Sequence, residues 1–429
     1  MFSVTKGERF FRQEGRPTFY LADTCWSAFT NIDEKDWDYY VDYRASQGFN
    51  VLQINMLQQW DASQTDLPYH PFERKEDGGF DFTRYNQDYF DRAGRMIKKA
   101  YERGLTVALV LIWCNYVPNT WASRMPLEQL GIFPRELLED YVDRVMRMYD
   151  QYHPIYVISG DTDFQNDEAV EDYYLFAMNR VKKNNPNAVT TLHIRGRESA
   201  LPKVIAENPN LDFVMYQSGH NRDYPEMPYQ LAETFYQQDS SRPLLNSEPC
   251  YELMGYSHRA YGRFSREDIR KAAWQSVLSG ASSGITYGAH GIWSWHDERF
   301  GFNSAIGEAF ESPYDWRDAL HFQGAWDYAF LKNIMEEYDL FDMLPAQELL
   351  RNETTEIRLA QNERYLLVYV PSNIRLKLAG DLSAWKMIYL DLDSKNKMPV
   401  QACYDPATNE TCVPMHRFIG DALLIIEKK

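Results

Sequence analysis

Over its first 345 residues this 429-residue chain repeats one pair of signals. A short run rich in β-branched and aromatic residues is followed by an amphipathic stretch of helical period. "TFYLADTCW" (18–26) and "NVLQINML" (50–57) read as strands one and two, with helices over 33–48 and 86–104 behind them. "LTVALVLIWCN" (105–115) and "IYVISGD" (155–161) are strands three and four, each followed by a helical pattern, at 134–153 and 168–187. Strands five to eight fall at 189–194, 212–220, 244–249 and 283–295, with helices near 201–207, 229–238, 265–280 and 316–337. Several strands are near-continuous apolar runs, the pattern of strands buried on both faces. Eight such units predict an α/β fold, a (β/α)₈ TIM barrel over 1–345. A doubly wound sheet is the alternative, but no Gly-rich phosphate fingerprint follows strand one.

After Pro345 the helical period stops. "RYLLVYVP", "WKMIYLDL", "PVQACYDP" and "DALLIIEK" are short strands between turn residues, which predicts a small β-sandwich domain over 346–429. No long Ser/Gly tract joins the two parts, so the sandwich is expected to pack on the barrel.

The formal charge of −17 argues against nucleic acid or an anionic membrane surface as partner, since both need a basic footprint. No apolar run reaches membrane-spanning length. The N-terminal stretch lacks the apolar segment of a signal peptide, so a cytoplasmic protein is expected. Five Cys without a CxxC spacing imply neither a disulfide framework nor a zinc site. Oligomeric state cannot be read from the sequence.

In a (β/α)₈ barrel the chemistry sits at the C-terminal ends of the strands. Those ends carry Asp23 and Trp26; Gln53, Asn55 and Gln58; Trp113, Asn115 and Tyr116; Asp161 and Asp163; His193 and Arg195. The later strands add Tyr216, Gln217 and His220; Asn246 and Glu248; and Tyr287, His290, Trp293 and Trp295. Carboxylates, amides and aromatic rings suit a polyhydroxylated ligand. Acids and amides hydrogen-bond hydroxyls, and ring faces stack on sugar C–H faces. There is no Ser nucleophile elbow and no HExxH. Asp23, His220 and His290 offer no close-spaced metal pair, so no metal or other cofactor is expected.

Glycoside hydrolysis needs two carboxyl groups of different protonation. Strands four and seven lie roughly across the barrel, so Asp161 and Glu248 can face each other. Glu252 is the rival nucleophile and Asp163 the rival acid. The expected substrate-binding set is Asp23, Trp26, Asn55, Trp113, Asn115, Tyr216, His220, Asn246, Tyr287, His290 and Trp293. A non-catalytic carbohydrate-binding barrel is the alternative function.

The stretches "FYLADTCWSAF", "YRASQGFNVLQIN", "YVISGDTD", "LLNSEPCYE" and "GITYGAHGIWSW" resemble the apiosidases and related glycoside hydrolases of the large retaining (β/α)₈ clan. "LLVYVP" and "YDPATNET" resemble the small β-domain that accompanies them, which carries a collagen-binding label. The resemblance spans nearly the whole chain. It implies Asp161 of "SGD" as general acid/base and Glu248 of "SEPCYE" as nucleophile. The implied substrate is a small oligosaccharide or plant glycoside bearing a terminal sugar, apiose or another furanose or pentose.

Overall fold

The computed structural model describes residues 1–125, 130–165, 167–258, 260–302 and 311–428. Among these, eight parallel strands form one nearly closed barrel. They are β1 (Tyr20–Thr24), β2 (Val51–Asn55), β3 (Thr106–Trp113), β4 (Ile155–Gly160), β5 (Thr190–Thr191), β6 (Val214–Tyr216), β7 (Leu244–Asn246) and β8 (Gly284–Tyr287). The hydrogen-bonded order is β5-β4-β3-β2-β1-β8-β7-β6, so β1 pairs with both β2 and β8. A doubly wound sheet is thereby excluded. Between β5 and β6 the seam is crossed by Asp212 N–H to the Thr190 carbonyl (3.0 Å) and by the Thr191 hydroxyl to the Phe213 carbonyl (2.7 Å).

The outer layer holds α1 (Glu34–Ser46), α2 (Gln87–Glu102), α3 (Leu138–Tyr149), α4 (Glu168–Asn184), the single turn α5 (Lys203–Ala206), α6 (Met227–Gln238), α7 (Arg266–Val277) and α8 (Gly324–Glu337). Local chemistry starts several of them. Asp33 accepts from the N–H groups of Lys35 and Asp36 ahead of α1, and Ser265 with Asp268 forms a capping box on α7. β3 is buried at all eight positions, which explains its unbroken apolar run.

Strand eight is shorter than the sequence suggests: 283–295 reads as one strand, but the ladder stops at Tyr287. The rest of that apolar run is buried turn. Gly288 lies so close to the Tyr251 ring that an added Cβ would sit 2.0 Å from it. Burial, not strand pairing, makes "AHGIWSW" apolar.

The C-terminal part holds two antiparallel sheets, the larger built on Tyr365–Val370, Lys386–Asp391 and Ala422–Glu427. Leu344–Pro345 pairs with Arg358–Gln361 and so joins this sheet. Tyr365–Val370 is buried on both faces. Leu366, Val368 and Val370 enter the core between the sheets, while Tyr365, Leu367 and Tyr369 join the barrel's core. The period of two divides one strand between two hydrophobic cores.

Charges fasten the same interface. Arg270 on α7 donates from Nη2 to Asp421 (2.5 Å) and from Nη1 to Asp327 on α8 (2.9 Å). Asp327 also accepts from Arg266 (2.7 Å) and Lys395 (2.6 Å), and the Tyr369 hydroxyl donates to Asp421 (3.0 Å). Arg270 is 2 % exposed, so its removal strands buried carboxylates. Arg270→Ala is expected to cost about 3–5 kcal/mol, checked by denaturant unfolding. A loss of under about 1 kcal/mol would show that the network is screened by water.

Candidate active site

The mouth of the barrel opens into a cleft of about 500 Å³. Both predicted acids line it, as do Trp26, Trp113, His220 and Trp293.

The "SGD" stretch is shaped by its neighbours. The Ser159 hydroxyl donates to the His193 carbonyl (2.9 Å). At Gly160 a Cβ would fall 1.9 Å from the Trp113 indole, so only glycine lets that ring lie across the end of β4. Asp161 then turns into the left-handed region (φ 48°), a conformation that Asp tolerates better than most residues and that aims it off the strand. Its N–H donates to His193 Nδ1 (3.0 Å), and the Trp121 indole N–H donates to its carbonyl (2.7 Å).

The "SEPCYE" stretch is fixed in the same manner. Ser247 N–H donates to the Tyr216 carbonyl (2.9 Å), and Gln53 Nε2 donates to the Ser247 carbonyl (3.1 Å). Glu248, 7 % exposed, then stands between two imidazoles. His220 Nε2 lies 2.9 Å from Oε1 and His193 Nε2 lies 3.2 Å from Oε2. Each ring's Nδ1 accepts a backbone N–H, from Asp161 for His193 and from Tyr251 (3.3 Å) for His220. Nδ1 is thus engaged by the backbone in each ring, and Nε2 is the nitrogen that faces Glu248. Burial alone would raise the Glu248 pKa. The close contacts and charge of His193 and His220 outweigh it and hold the carboxyl at about 2.

The rivals are locked elsewhere. Glu252 accepts from the Tyr287 hydroxyl (2.5 Å) and from Gly324 N–H (2.9 Å) at the start of α8. Asp163 accepts from Trp121 N–H (2.8 Å), and its side chain is wholly buried.

Seven of the expected binding residues do not line the cleft. Asp23 faces α1, where Arg44 Nε (2.6 Å) and the Tyr40 hydroxyl (2.8 Å) hold it. Tyr216 donates to the Pro228 carbonyl (2.8 Å), and Tyr287 is taken by Glu252. Asn246 faces α7, donating to Ser276 Oγ (3.0 Å) and Ser218 Oγ (2.8 Å), while its Oδ1 accepts from Glu248 N–H (3.3 Å). It therefore holds the backbone of Glu248 and not its carboxylate. His290 sits behind Trp293 and accepts that indole's N–H (3.1 Å). Asn55 is buried and donates to Gln59, and Asn115 lies in the 3₁₀ turn Cys114–Tyr116. Residues 303–310 of the loop 296–315 lie outside the described residues.

The cleft also recruits residues that the strand ends do not announce. Trp60, Asp61 and Trp121 come from loops after β2 and β3, and Tyr251 from the loop after β7. Buried polar atoms of Trp60 (Nε1), Trp113 (Nε1), Gln217 (Oε1) and Ser257 (Oγ) have no hydrogen-bond partner among the described residues. Those that face the cleft are available to hydrogen-bond a hydroxylated ligand. Asp61 is half-buried, and burial with the nearby Glu248 charge raises its pKa to about 6.

A parallel barrel with paired carboxylates in an aromatic cleft defines a glycoside-hydrolase type of architecture. The family description "Apiosidase-like, catalytic domain" matches residues 5–342, and the chain belongs to that family. A solved glycoside hydrolase is 20% identical, with TM-score 0.77, covering 100% of this chain and 97% of its own. A family 5 glycoside hydrolase from Bacteroides vulgatus is 21% identical, with TM-score 0.79 and coverage of 100% and 93%. A maltogenic α-amylase from Thermotoga neapolitana shares the fold more loosely, at 10% identity, TM-score 0.55 and coverage of 95% and 98%. The comparison with curated proteins gave no match. Among the described residues no group of three or more His, Cys, Asp or Glu could hold a metal ion, and no helix is long and apolar enough to cross a membrane.

Two outcomes test this geometry. Replacing His193 or His220 by Phe removes a donor to the carboxylate and leaves burial less opposed, so the Glu248 pKa should rise from about 2 toward or above 4.5. Carboxyl-carbon NMR, with Glu248→Gln to assign the resonance, reads the shift. Because the folded-state pKa is depressed, Glu248 stabilises the fold above its unfolded pKa. That stabilisation fades as pH falls through the folded value, and the Phe variants should lose it at higher pH. Asp23→Ala leaves Arg44 buried and unpaired and should cost about 3–5 kcal/mol in denaturant unfolding while leaving the cleft intact.

Proposed function

We propose that this protein is a retaining glycoside hydrolase that releases a terminal sugar, apiose or another furanose or pentose, from a small oligosaccharide or plant glycoside. The observation that carries the reading is Glu248: a buried carboxylate kept ionised by two imidazoles, in an aromatic cleft that it shares with Asp161. A nucleophile must be ionised to attack, and a proton donor must not be. Family membership supports the glycosidase class, and apiose is the first sugar to try.

Glu248 attacks the anomeric carbon while Asp161 gives its proton to the departing oxygen. The glycosyl–enzyme ester has no negative charge at Glu248, so Asp161 ionises more easily and takes a proton from the incoming water. Two displacements return the original configuration. Trp26, Trp113 and Trp293 supply faces for the sugar, and the bare N–H and O–H groups of the wall meet its hydroxyls.

The acids should fail differently when removed. Glu248→Ala should abolish turnover of every glycoside. Asp161→Ala should slow substrates with poor leaving groups by about a thousandfold, yet still form the intermediate from an activated aryl glycoside. Azide should rescue the Asp161 variant and yield a glycosyl azide of retained configuration by NMR. Azide rescue of Glu248→Ala with retention, or near-native rates in both variants, would reverse or remove these roles.

A further inference from the structure

The loop after β2 brings a third carboxyl group to the cleft. It is pinned on both sides: the Tyr116 hydroxyl donates to the Gln58 carbonyl (2.8 Å), and Asn31 Nδ2 donates to the Ser63 carbonyl (2.8 Å). Between the pins, Trp60 packs edge-on to Trp121 at 5.7 Å, and Asp61 lines the cleft with Glu248 and Asp161. Gln59 Nε2 donates to Asp61 Oδ1 (2.5 Å), and Gln59 in turn accepts from the buried Asn55. Among the described residues, nothing hydrogen-bonds Asp61 Oδ2 and no cation pairs with Asp61.

A structural role does not account for this placement. Among the described residues Asp61 caps no helix and neutralises no buried charge, and it lies near an ionised Glu248, where a carboxyl group is electrostatically unwelcome. Its neighbour Trp60 is 5 % exposed and holds an indole N–H without a partner among the described residues. Two adjacent residues on a pinned loop thus offer unused hydrogen-bonding atoms at one wall of the cleft.

We propose that Asp61 touches the substrate and selects it, hydrogen-bonding a hydroxyl of the sugar seated beside Glu248. This rests on the glycosidase reading of the cleft. The raised pKa, about 6, agrees with a group that changes between donor and acceptor near neutrality. Either form can hold a hydroxyl, which both donates and accepts.

The test titrates phenyl thioglycosides of apiose, arabinose, xylose and galactose while following tryptophan fluorescence, and measures kcat and KM on the matching para-nitrophenyl glycosides. Asp61→Ala should weaken binding of the best sugar about tenfold and raise KM alike, with kcat changed less, and should narrow the preference among the four sugars. Asp61→Asn keeps hydrogen-bonding atoms and should stay within about threefold of the native protein. Both variants should melt like the native protein. Asp61→Ala binding within about twofold of native, or an unchanged sugar preference, overturns the inference. Native protein that binds a thioglycoside but hydrolyses none of the glycosides refutes the hydrolase reading alone, and native protein that binds none refutes both.

Discussion

The two-imidazole cradle of Glu248 is the contact around which the rest of the site is arranged. His193 is a strut between the two acids. Its Nδ1 takes the Asp161 backbone N–H, and its Nε2 faces the Glu248 carboxylate. One imidazole ring therefore touches both the end of β4 and the acid that follows β7. His220 repeats the device on the other side, tying Glu248 to the backbone of Tyr251. A carboxylate buried this deeply would otherwise take up a proton. The same two rings that keep it charged also fix the loops on which its partners ride.

Most of the fold was legible because the barrel repeats one hydrophobic period eight times, and the order of strands follows from connections that do not cross. That Asp161 and Glu248 both line the cleft was legible because each stands at the end of a barrel strand. The wall was less so, for a geometric reason. Asp23, Tyr216, Asn246 and Tyr287 each stand at or near the end of a short strand, and there a shift of one residue decides between the cleft and the helix layer. All four turned toward helices or the chain behind the barrel wall, where Tyr40 and Arg44, Pro228, Ser276 and Glu252 meet them. Trp60, Asp61 and Trp121 were illegible for the opposite reason. They lie on loops without periodicity, and only the closed fold shows where those loops return.

The abundance of aromatic residues now divides between two uses. Trp26 and Trp113 pack at 5.2 Å in the cleft beside His193, while Trp295 and Trp316 stack at 4.5 Å beyond the cleft wall. Glycines mark where rings press on backbone. Gly160 yields to Trp113 and Gly288 to Tyr251, so each of these two rings has a position behind it that admits no side chain. The short motifs around Asp161 and Glu248 are thus imprints of neighbouring rings as much as of the chemistry.

Tyr365–Val370, shared between two cores, has a consequence for synthesis. In the larger C-terminal sheet it lies against Ala422–Glu427. Asp421, the carboxylate that Arg270 requires, immediately precedes that strand. While the ribosome is still at work, α7 and α8 must wait with Arg270 lacking one of its partners and an apolar face uncovered. Domains usually fold in the order in which they emerge. Here Asp421 and the strand after it complete the packing of α7, made about 150 residues earlier, an interval given by the separation of Arg270 from Asp421. A nascent chain halted before Asp421 would therefore hold the barrel strands beside an unfinished outer wall.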